Sequence, residues 1–227
     1  MTPKPRLRVD VVTLFPRMFE GVLSQSILKR AQERGLLEVG LVNPRDFASD
    51  RHRTVDDRPY GGGAGMLLMA EPLYLALRKV RRRGAKVVLL SPQGRRFDQG
   101  LAASLARERR IVLVCGHYEG VDERIMDFVD MELSIGDFVL TGGEIAAMAV
   151  LDAAARLLPG VLLKPEAAER ESFSAGLLDY PQYTRPSLWR GRKVPAALLS
   201  GDHARIEAWR ARAAKAATRR KRPDLLS

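Results

Sequence analysis

The stretch "KVVLLSPQGRRFDQGLAASLARERRIVLVCG", residues 86–116, decides the fold class of this chain. It contains two short apolar runs rich in valine, leucine and isoleucine, "KVVLL" and "RIVLVC". Between them lies a segment with helical periodicity that begins at about Asp98. Two strands that flank one helix in this way predict a parallel pair of strands with a helical connection.

The same alternation extends along the chain in both directions. The run "VDVVTLF" precedes a helix that ends at Gly35, and "LLEVGLV" follows that helix. Further on, "MELSI" follows a predicted helix over "VDERIMDFV", and a long helix over residues 143–157 is stopped by Pro159 and Gly160. This order predicts an α/β fold with a mainly parallel sheet over residues 1–163.

The character of the sequence changes after that domain. Residues 164–186 are polar, punctuated by prolines and aperiodic, which predicts an interdomain linker. Residues 187–227 are predicted to form a small, mostly helical, basic domain. Residues 203–227 contain eight Lys or Arg against two acidic residues, so they carry +6 of the net charge of +11. Ile206, Trp209 and Ala213 recur at helical spacing and leave a basic face on the opposite side.

This charge distribution indicates an acidic partner such as RNA or DNA. Thirty of the 38 basic residues are arginines, whose planar fork suits phosphates and guanine edges. The alternative is that the arginines only form a solvated surface, and charge alone does not separate the two.

Composition excludes several classes of protein. The single cysteine, Cys115, cannot form an internal disulfide, and three scattered histidines lack metal-ligand spacing. The longest apolar stretch, residues 145–151, is far shorter than the roughly 20 residues of a membrane span. No secretion signal is visible, so we expect a cytoplasmic protein without a membrane segment.

Three loops directly follow apolar strands: "SPQG" at 91–94, "CGHYEG" at 115–120 and "SIGDFVLTGGE" at 134–144. Ligands bind at the carboxyl ends of parallel strands, so the three loops are expected to line one cleft. Each loop taken alone is better explained as a simple strand-to-helix turn, and the occurrence of three such loops favours the cleft. No loop matches a phosphate-binding motif, which favours a flat, uncharged base with an apolar-polar tail.

The functional roles of the glycine cluster, and of Cys115 and His117, are less clearly indicated by the sequence. The glycine cluster "RPYGGGAGMLL", residues 58–68, lacks the lysine and the preceding strand of a nucleotide loop. It is either a segment that approaches a ligand or partner closely or a mobile surface loop. Cys115 is predicted to be a buried small hydrophobic residue, and His117 to have a structural or ligand-edge role.

Seven motifs together resemble the bacterial tRNA (guanine-N1) methyltransferase family, which modifies guanosine 37 next to the anticodon. They are "DVVTLFPRMF", "RPYGGGAGMLL", "LSPQGRRFDQ", "CGHYEGVDERI", "SIGDFVLTGGE", "LLDYPQYTRP" and "LSGDHARIEAWR". They occur in the family's order and cover nearly the whole chain. The resemblance implies a deep trefoil knot of the SPOUT superfamily, S-adenosylmethionine bound in that knot, and a homodimer with shared active sites. General rules for chain connections would instead predict an unknotted sheet.

The resemblance also implies which residues bind the cofactor, with Mg²⁺ and Glu119 as possible further participants. The cofactor residues are Ser91, Pro92, Gly94, Gly116, Tyr118, Glu119, Ser134, Ile135, Gly136, Asp137, Phe138, Val139, Leu140, Gly142 and Gly143. They fall on the same three loops that the strand pattern selects.

Methylation at N1 of guanine requires a base for the N1 proton and a donor near O6. By the resemblance the donor is Arg156 and the base is Glu171, at a position where most relatives have aspartate. The extra carbon displaces the carboxylate by about 1.5 Å. Asp179 matches a residue that contacts the target nucleotides and is the reserve candidate for the base.

Two other functions are weighed against this one. A non-catalytic RNA-binding module would need the scaffold and the basic tail but not Arg156, Asp179 or the three loops. A methyltransferase of the same superfamily with another RNA target would not share "LLDYPQYTRP". The retained motifs therefore favour the enzyme that acts on guanosine 37.

Overall fold

A computed structural model describes residues 5–162 and 171–226 of the chain, and its centre is a five-stranded parallel sheet. Its strands are β1 (Leu7–Val12), β2 (Leu37–Val42), β5 (Lys86–Arg96), β6 (Arg110–Cys115) and β7 (Met131–Ser134). The sheet has the order β2-β1-β6-β5-β7, and each neighbouring pair is parallel. The α/β class and the mainly parallel sheet predicted from the alternating pattern are confirmed.

Helices occupy most of the segments between these strands. They are α1 (Glu20–Leu23), α2 (Ser26–Glu33), α3 (Ala70–Val80), α4 (Gln99–Arg107) and α5 (Glu144–Ala155), with α6 (His203–Lys221) near the end of the chain. Asp98 caps α4, because its side chain accepts a hydrogen bond of 2.7 Å from the backbone nitrogen of Leu101. Gly35 follows α2 with φ of +65°, a conformation that glycine adopts without strain.

Both faces of the sheet are buried under helices. On one face Leu7, Val9 and Val11 of β1 pack in a cluster that includes residues of α2, α4 and α5. On the other face Val12 packs with residues of α3 and with alternate residues of β5 and β6. Burial on both faces explains why β5 and β6 read as continuous apolar runs rather than as an alternation of apolar and polar residues.

Three sequence-based expectations are wrong in detail. The predicted loop 91–94 lies inside β5, where an irregularity lets both Leu90 and Arg95 pair with Leu133 of β7. The helix predicted over "VDERIMDFV" is a 3-10 helix, Glu123–Phe128. A short strand, β3 (Asp56–Asp57), does precede the glycine cluster and pairs antiparallel with β4 (Leu67–Leu68).

The chain divides into two compact units, residues 1–163 and 164–227. The first residues of the predicted linker, 164–170, lie outside the described residues. Its described part, 171–186, contains no helix or strand, but the backbone nitrogen of Leu178 donates to Thr218 of α6 at 2.9 Å. The second unit also contains a hairpin of β8 (Leu188–Trp189) and β9 (Arg192–Lys193). In the described parts of both units, no helix has the length and apolar character to cross a membrane.

Candidate functional site

The carboxyl ends of β5, β6 and β7 enclose a cavity of about 260 Å³ in the first unit. These three strands are neighbours and parallel, so the segments that follow them lie at one edge of the sheet. Thirteen of the fifteen residues predicted to bind a cofactor line the cavity. They are Ser91, Pro92, Gly116, Tyr118, Glu119, Ser134, Ile135, Gly136, Phe138, Val139, Leu140, Gly142 and Gly143.

The two remaining residues, Gly94 and Asp137, are not part of this lining. Gly94 packs on the neighbouring strand, and a Cβ atom added to it would overlap the backbone of Glu132 and Leu133. Its missing side chain therefore permits the close approach of β5 to β7. Asp137 is exposed in the loop after β7.

The lining also contains residues that the loop motifs do not include. Leu89, Leu90 and Leu133 contribute from the strands, and Val121, Glu123 and Met126 from the segment after β6. The strand residues are the ends of the same apolar runs that predicted the strands. The pattern of strands and loops does not mark Glu123 and Met126 as cavity residues, because only the folded chain brings their 3-10 helix to the cavity.

Backbone hydrogen bonds join the loops after β6 and β7. The nitrogen of Gly143 donates to the carbonyl oxygen of Gly116 at 2.8 Å, and His117 forms a backbone bridge with Gly142. Within the second loop, the hydroxyl of Ser134 donates to the carbonyl of Gly136 at 2.9 Å. The two walls of the cavity are thus one connected structure.

The end of the glycine cluster approaches the same loops. The backbone nitrogen of Glu119 donates to the carbonyl of Met66 at 3.0 Å, and the nitrogen of Leu68 donates to Gly120 at 3.0 Å. A Cβ atom on Gly65 would overlap the side chain of Glu119. Residues 65–68 therefore pack against the loop after β6, next to the cavity.

The charges that face the cavity are all negative. Its lining includes Glu119, Glu123 and Glu132 but contains no lysine or arginine. A ligand with several phosphates would meet repulsion there, whereas a ligand with a positive centre would be attracted. Among the described residues, no group of three or more His, Cys, Asp or Glu side chains is arranged to hold a metal ion.

Cys115 is the last residue of β6, next to Gly116 of the cavity lining, and is buried. Burial, with a smaller contribution from the charge of Glu144, raises the pKa of its thiol well above the usual range. The thiolate form is therefore suppressed at neutral pH, which excludes an activated cysteine nucleophile at this edge of the sheet.

The three predicted catalytic residues are divided between the two units. Arg156 is half-buried and lies at the C-terminal end of α5 in the first unit, whereas Glu171 and Asp179 belong to the second. The carboxylate of Asp179 accepts hydrogen bonds from the backbone nitrogen of Tyr180 at 2.7 Å and from Gln182 at 2.6 Å. The backbone carbonyl of Glu171 accepts the hydroxyl of Ser174 at 2.6 Å, which closes a turn around this residue.

An aromatic and cationic cluster lies next to Asp179 in the sequence. The guanidinium of Arg210 on α6 stacks over the ring of Tyr180 at 5.0 Å, and Trp209 packs against both Tyr180 and Tyr183. Ile206, Trp209 and Ala213 are all half-buried, so the apolar stripe predicted for this helix is confirmed. The stripe holds the segment around Asp179 against a basic helix.

Comparison with known proteins gives one consistent family. The family model described as tRNA (Guanine-1)-methyltransferase TrmD matches residues 7–227. A protein of Anaeromyxobacter sp. (strain K) named tRNA (guanine-N(1)-)-methyltransferase is 59% identical over 226 residues, which are 98% of this chain and 92% of that protein. A protein of Moorella thermoacetica with the same name is 56% identical over 226 residues, 97% of this chain and 90% of its own length. A third, from Geobacter sulfurreducens, is 56% identical over 223 residues, 97% of this chain and 91% of that protein.

These matches extend over both units and include the cavity loops, the residues around Asp179 and the basic helix. The chain belongs to the tRNA (guanine-1)-methyltransferase TrmD family of enzymes.

Proposed function

We propose that this protein transfers a methyl group from S-adenosylmethionine to N1 of guanosine 37 in tRNA. The cavity at the ends of β5, β6 and β7 carries the proposal. Its lining combines apolar side chains, exposed backbone groups of glycine-rich loops and three carboxylates without a cation. S-adenosylmethionine has a positively charged sulfonium, an ammonium group and an adenine that backbone groups can recognise, so it fits this lining better than a phosphate-bearing cofactor does.

The residues that would hold the cofactor come from the two joined loops. Gly116, Gly142 and Gly143 line the cavity without side chains, and Tyr118 and Phe138 provide apolar surface beside them. When bound there, S-adenosylmethionine supplies an electrophilic methyl group. The protein must then bring a deprotonated guanine N1 to that group.

Glu171 and Arg156 are assigned to this task. The carboxylate of Glu171 takes the N1 proton, and the guanidinium of Arg156 donates to O6, where negative charge develops as the proton leaves. By the family resemblance Asp179 is assigned to contact the target nucleotide, and its carboxylate is oriented by Tyr180 and Gln182. Asp179 remains the reserve candidate for the base.

The second unit is assigned to tRNA binding. The hairpin of β8 and β9 exposes Trp189, and the guanidinium of Arg190 lies over its ring at 5.1 Å. Arg192 and Lys193 on the same hairpin are also exposed. No acidic residue occurs between Tyr180 and Asp202, so this surface is complementary to phosphates and offers an aromatic face for an unpaired base.

A homodimer with shared active sites and a trefoil knot complete the proposal, as the resemblance implies. Exposed apolar side chains on neighbouring elements support the dimer. Ile145 on α5 is 50% exposed, and Phe15 and Met18, which belong to a 3-10 turn that packs against α5, are 40% and 46% exposed. Clustered exposed apolar side chains are typical of a protein interface.

One assay tests the function. Purified full-length protein is incubated with S-adenosylmethionine and a tRNA transcript, and the methylated base is mapped. We expect N1-methylguanosine at position 37 and none in a matched transcript with adenosine 37, which presents an amino group and an unprotonated N1 to the site. A transcript that is bound but not methylated would instead indicate the RNA-binding module. Repeating the assay with a chelator and with added Mg²⁺ tests the metal and the participation of Glu119.

A further inference from the structure

A carboxylate is buried beneath the two joined cavity loops. Glu144 is the first residue of α5 and is only 2% exposed. Its Oε1 accepts a hydrogen bond of 2.8 Å from the hydroxyl of Thr13, which is fully buried at the end of β1. The Thr13 hydroxyl oxygen in turn accepts the backbone nitrogen of Phe15 at 2.9 Å. A buried carboxylate is costly unless polar groups surround it, so each group that faces Glu144 matters.

The second carboxylate oxygen faces His117. The Nδ1 atom of His117 lies 4.0 Å from Oε2 of Glu144, about 1 Å beyond hydrogen-bond distance. This nitrogen is buried and has no hydrogen-bond partner among the described residues. The imidazole ring itself is fixed by aromatic contacts, with Phe15 at 4.9 Å and Tyr118 at 4.7 Å between ring centroids.

Gly142 lies between the two side chains. A Cβ atom on Gly142 would overlap both Nδ1 of His117 and Oε2 of Glu144. His117 and Gly142 also line the cavity and form the backbone bridge between its two loops. A small shift of either loop therefore changes both the shape of the cavity and the distance from His117 to Glu144.

We propose that His117 and Glu144 form a positioning pair for the cavity, in which Nδ1–H of His117 donates to Oε2 of Glu144 and locks the loops after β6 and β7 together. Thr13 holds the carboxylate in place for this contact. Neither side chain takes part in methyl transfer, and the pair acts through the shape of the loops. The inference rests on the proposed function only for the identity of the ligand.

The expected effect is on cofactor affinity. A buried donor without an acceptor is unfavourable, and ligand binding that closes the loops gains the hydrogen bond. Loss of the pair should weaken S-adenosylmethionine binding roughly tenfold to hundredfold. Substitution of a residue that only supports the fold would lower both the thermal stability and the cofactor affinity. For the proposed pair, we expect the cofactor affinity to fall without a fall in thermal stability.

Calorimetry on the full-length protein tests this with three histidine variants. His117→Phe keeps the ring contacts but removes Nδ1, so its cofactor affinity should fall while its Tm stays equal or rises, because an unsatisfied buried nitrogen has gone. His117→Asn restores a donor near the same place and should recover much of the affinity. His52→Phe, the same exchange at an exposed histidine outside the cavity, is the matched control and should bind as the wild type does.

A double-mutant cycle tests whether His117 and Glu144 act together on cofactor binding. Glu144→Gln should weaken binding, and the double variant His117→Phe, Glu144→Gln should be hardly weaker than either single variant. Three results would each overturn the pair. The first is wild-type cofactor affinity in His117→Phe, and the second is equally weak cofactor binding by His117→Asn and His117→Phe. The third is a double variant in which the effects of His117→Phe and Glu144→Gln add.

A measurement independent of methyl transfer uses nitrogen-labelled histidine. A slowly exchanging Nδ1–H resonance of His117 should appear in the wild type with S-adenosylmethionine and be lost in Glu144→Gln. Its absence from the wild type at every cofactor concentration would also overturn the pair. Failure of the proposed function appears separately, as a wild-type protein that leaves guanosine 37 unmethylated.

Discussion

The carboxylate assigned as the base, Glu171, lies in a turn closed by Ser174. If it removes the N1 proton, Glu171→Gln keeps the shape of the side chain but loses the base, so kcat should fall by on the order of 10²–10⁴-fold. Glu171→Asp should keep substantial activity where the turn absorbs a shift of about 1.5 Å. Single-turnover kinetics at saturating tRNA measures both effects.

Asp179→Asn is the control for that experiment. Because the Asp179 carboxylate orders its own segment through Tyr180 and Gln182, this variant should raise KM for tRNA more than it lowers the chemical step. Near-normal chemistry in Glu171→Gln beside an inactive Asp179→Asn would transfer the base role to Asp179.

Cys115 gives a prediction that does not depend on the proposed function. Burial holds the pKa of its thiol well above the unfolded value, so the native thiol stays protonated while the unfolded thiol ionises at about pH 8.5. Its contribution to stability is fully present below that pH and is lost as pH rises toward the folded pKa. We expect slow reaction with a thiol reagent at pH 8 and fast reaction in denaturant, with Cys115→Ser as the blank. Fast reaction of the native protein would contradict the burial of this residue.

Single residues also show how far the site could be predicted. The glycines at 116, 142 and 143 stand out in sequence because they follow apolar runs, and the cavity contains them. The contact between Thr13 and Glu144 joins residues 131 positions apart, and no local pattern links the two. Such pairs follow only from the packing of β1 against α5.

The junction of β5 and β7 gives a prediction at the scale of elements. Gly94→Ala places a Cβ atom in the backbone of β7, and separating the strands should cost about 1–3 kcal/mol. The Tm of the protein should fall by roughly 2–12 °C. Gly116→Ala is the matched control, because its added Cβ meets only ordinary contacts, the nearest at 3.6 Å to the Leu90 carbonyl oxygen. Equal Tm values for the two variants would show that the close approach is unimportant for stability.

Elements differ in how clearly the sequence predicts them. The central strand β6 and the first half of β5 are buried on both faces and read as apolar runs, and α4 begins at its capping Asp98 as predicted. The helix predicted over "VDERIMDFV" is a 3-10 helix, Glu123–Phe128, because the Asp122 side chain accepts the nitrogen of Arg124 and begins a tighter turn. Strands β3 and β4 have two residues each, too short for any periodicity to appear.

The distribution of charge in the whole molecule predicts the salt dependence of tRNA binding. Arg219, Arg220 and Lys221 are exposed in the last turn of α6, and replacing all three with alanine removes three positive charges from the proposed interface. If all three contact phosphates, the slope of log K against log salt should become shallower by roughly 2 to 3 units. Binding titrations over a range of salt concentrations give the slope.

The control for that variant is the triple replacement of Arg78, Arg82 and Arg83 in the first unit, which removes the same charge elsewhere. Its slope should stay close to that of the wild type. A larger loss of slope in this control than in the α6 variant would move the tRNA interface to the first unit.

The proposed catalytic residues belong to different units, which permits a direct test of the proposed shared active site. Arg156→Ala and Glu171→Gln should each be nearly inactive alone. If Arg156 of one subunit works with Glu171 of the other, a mixed dimer of the two variants has one site with both substitutions and one intact site. Co-expression or subunit exchange should then recover about one quarter of wild-type activity, since half of the dimers are mixed and half of their sites are intact. If both residues of a site come from one chain, every site carries a substitution and no activity returns.

Differently tagged subunits purified in tandem isolate the mixed dimer, and its activity should reach about half that of the wild type. An inactive mixed dimer would rule out the shared site, and an Arg156→Ala preparation mixed with itself is the control for the exchange procedure.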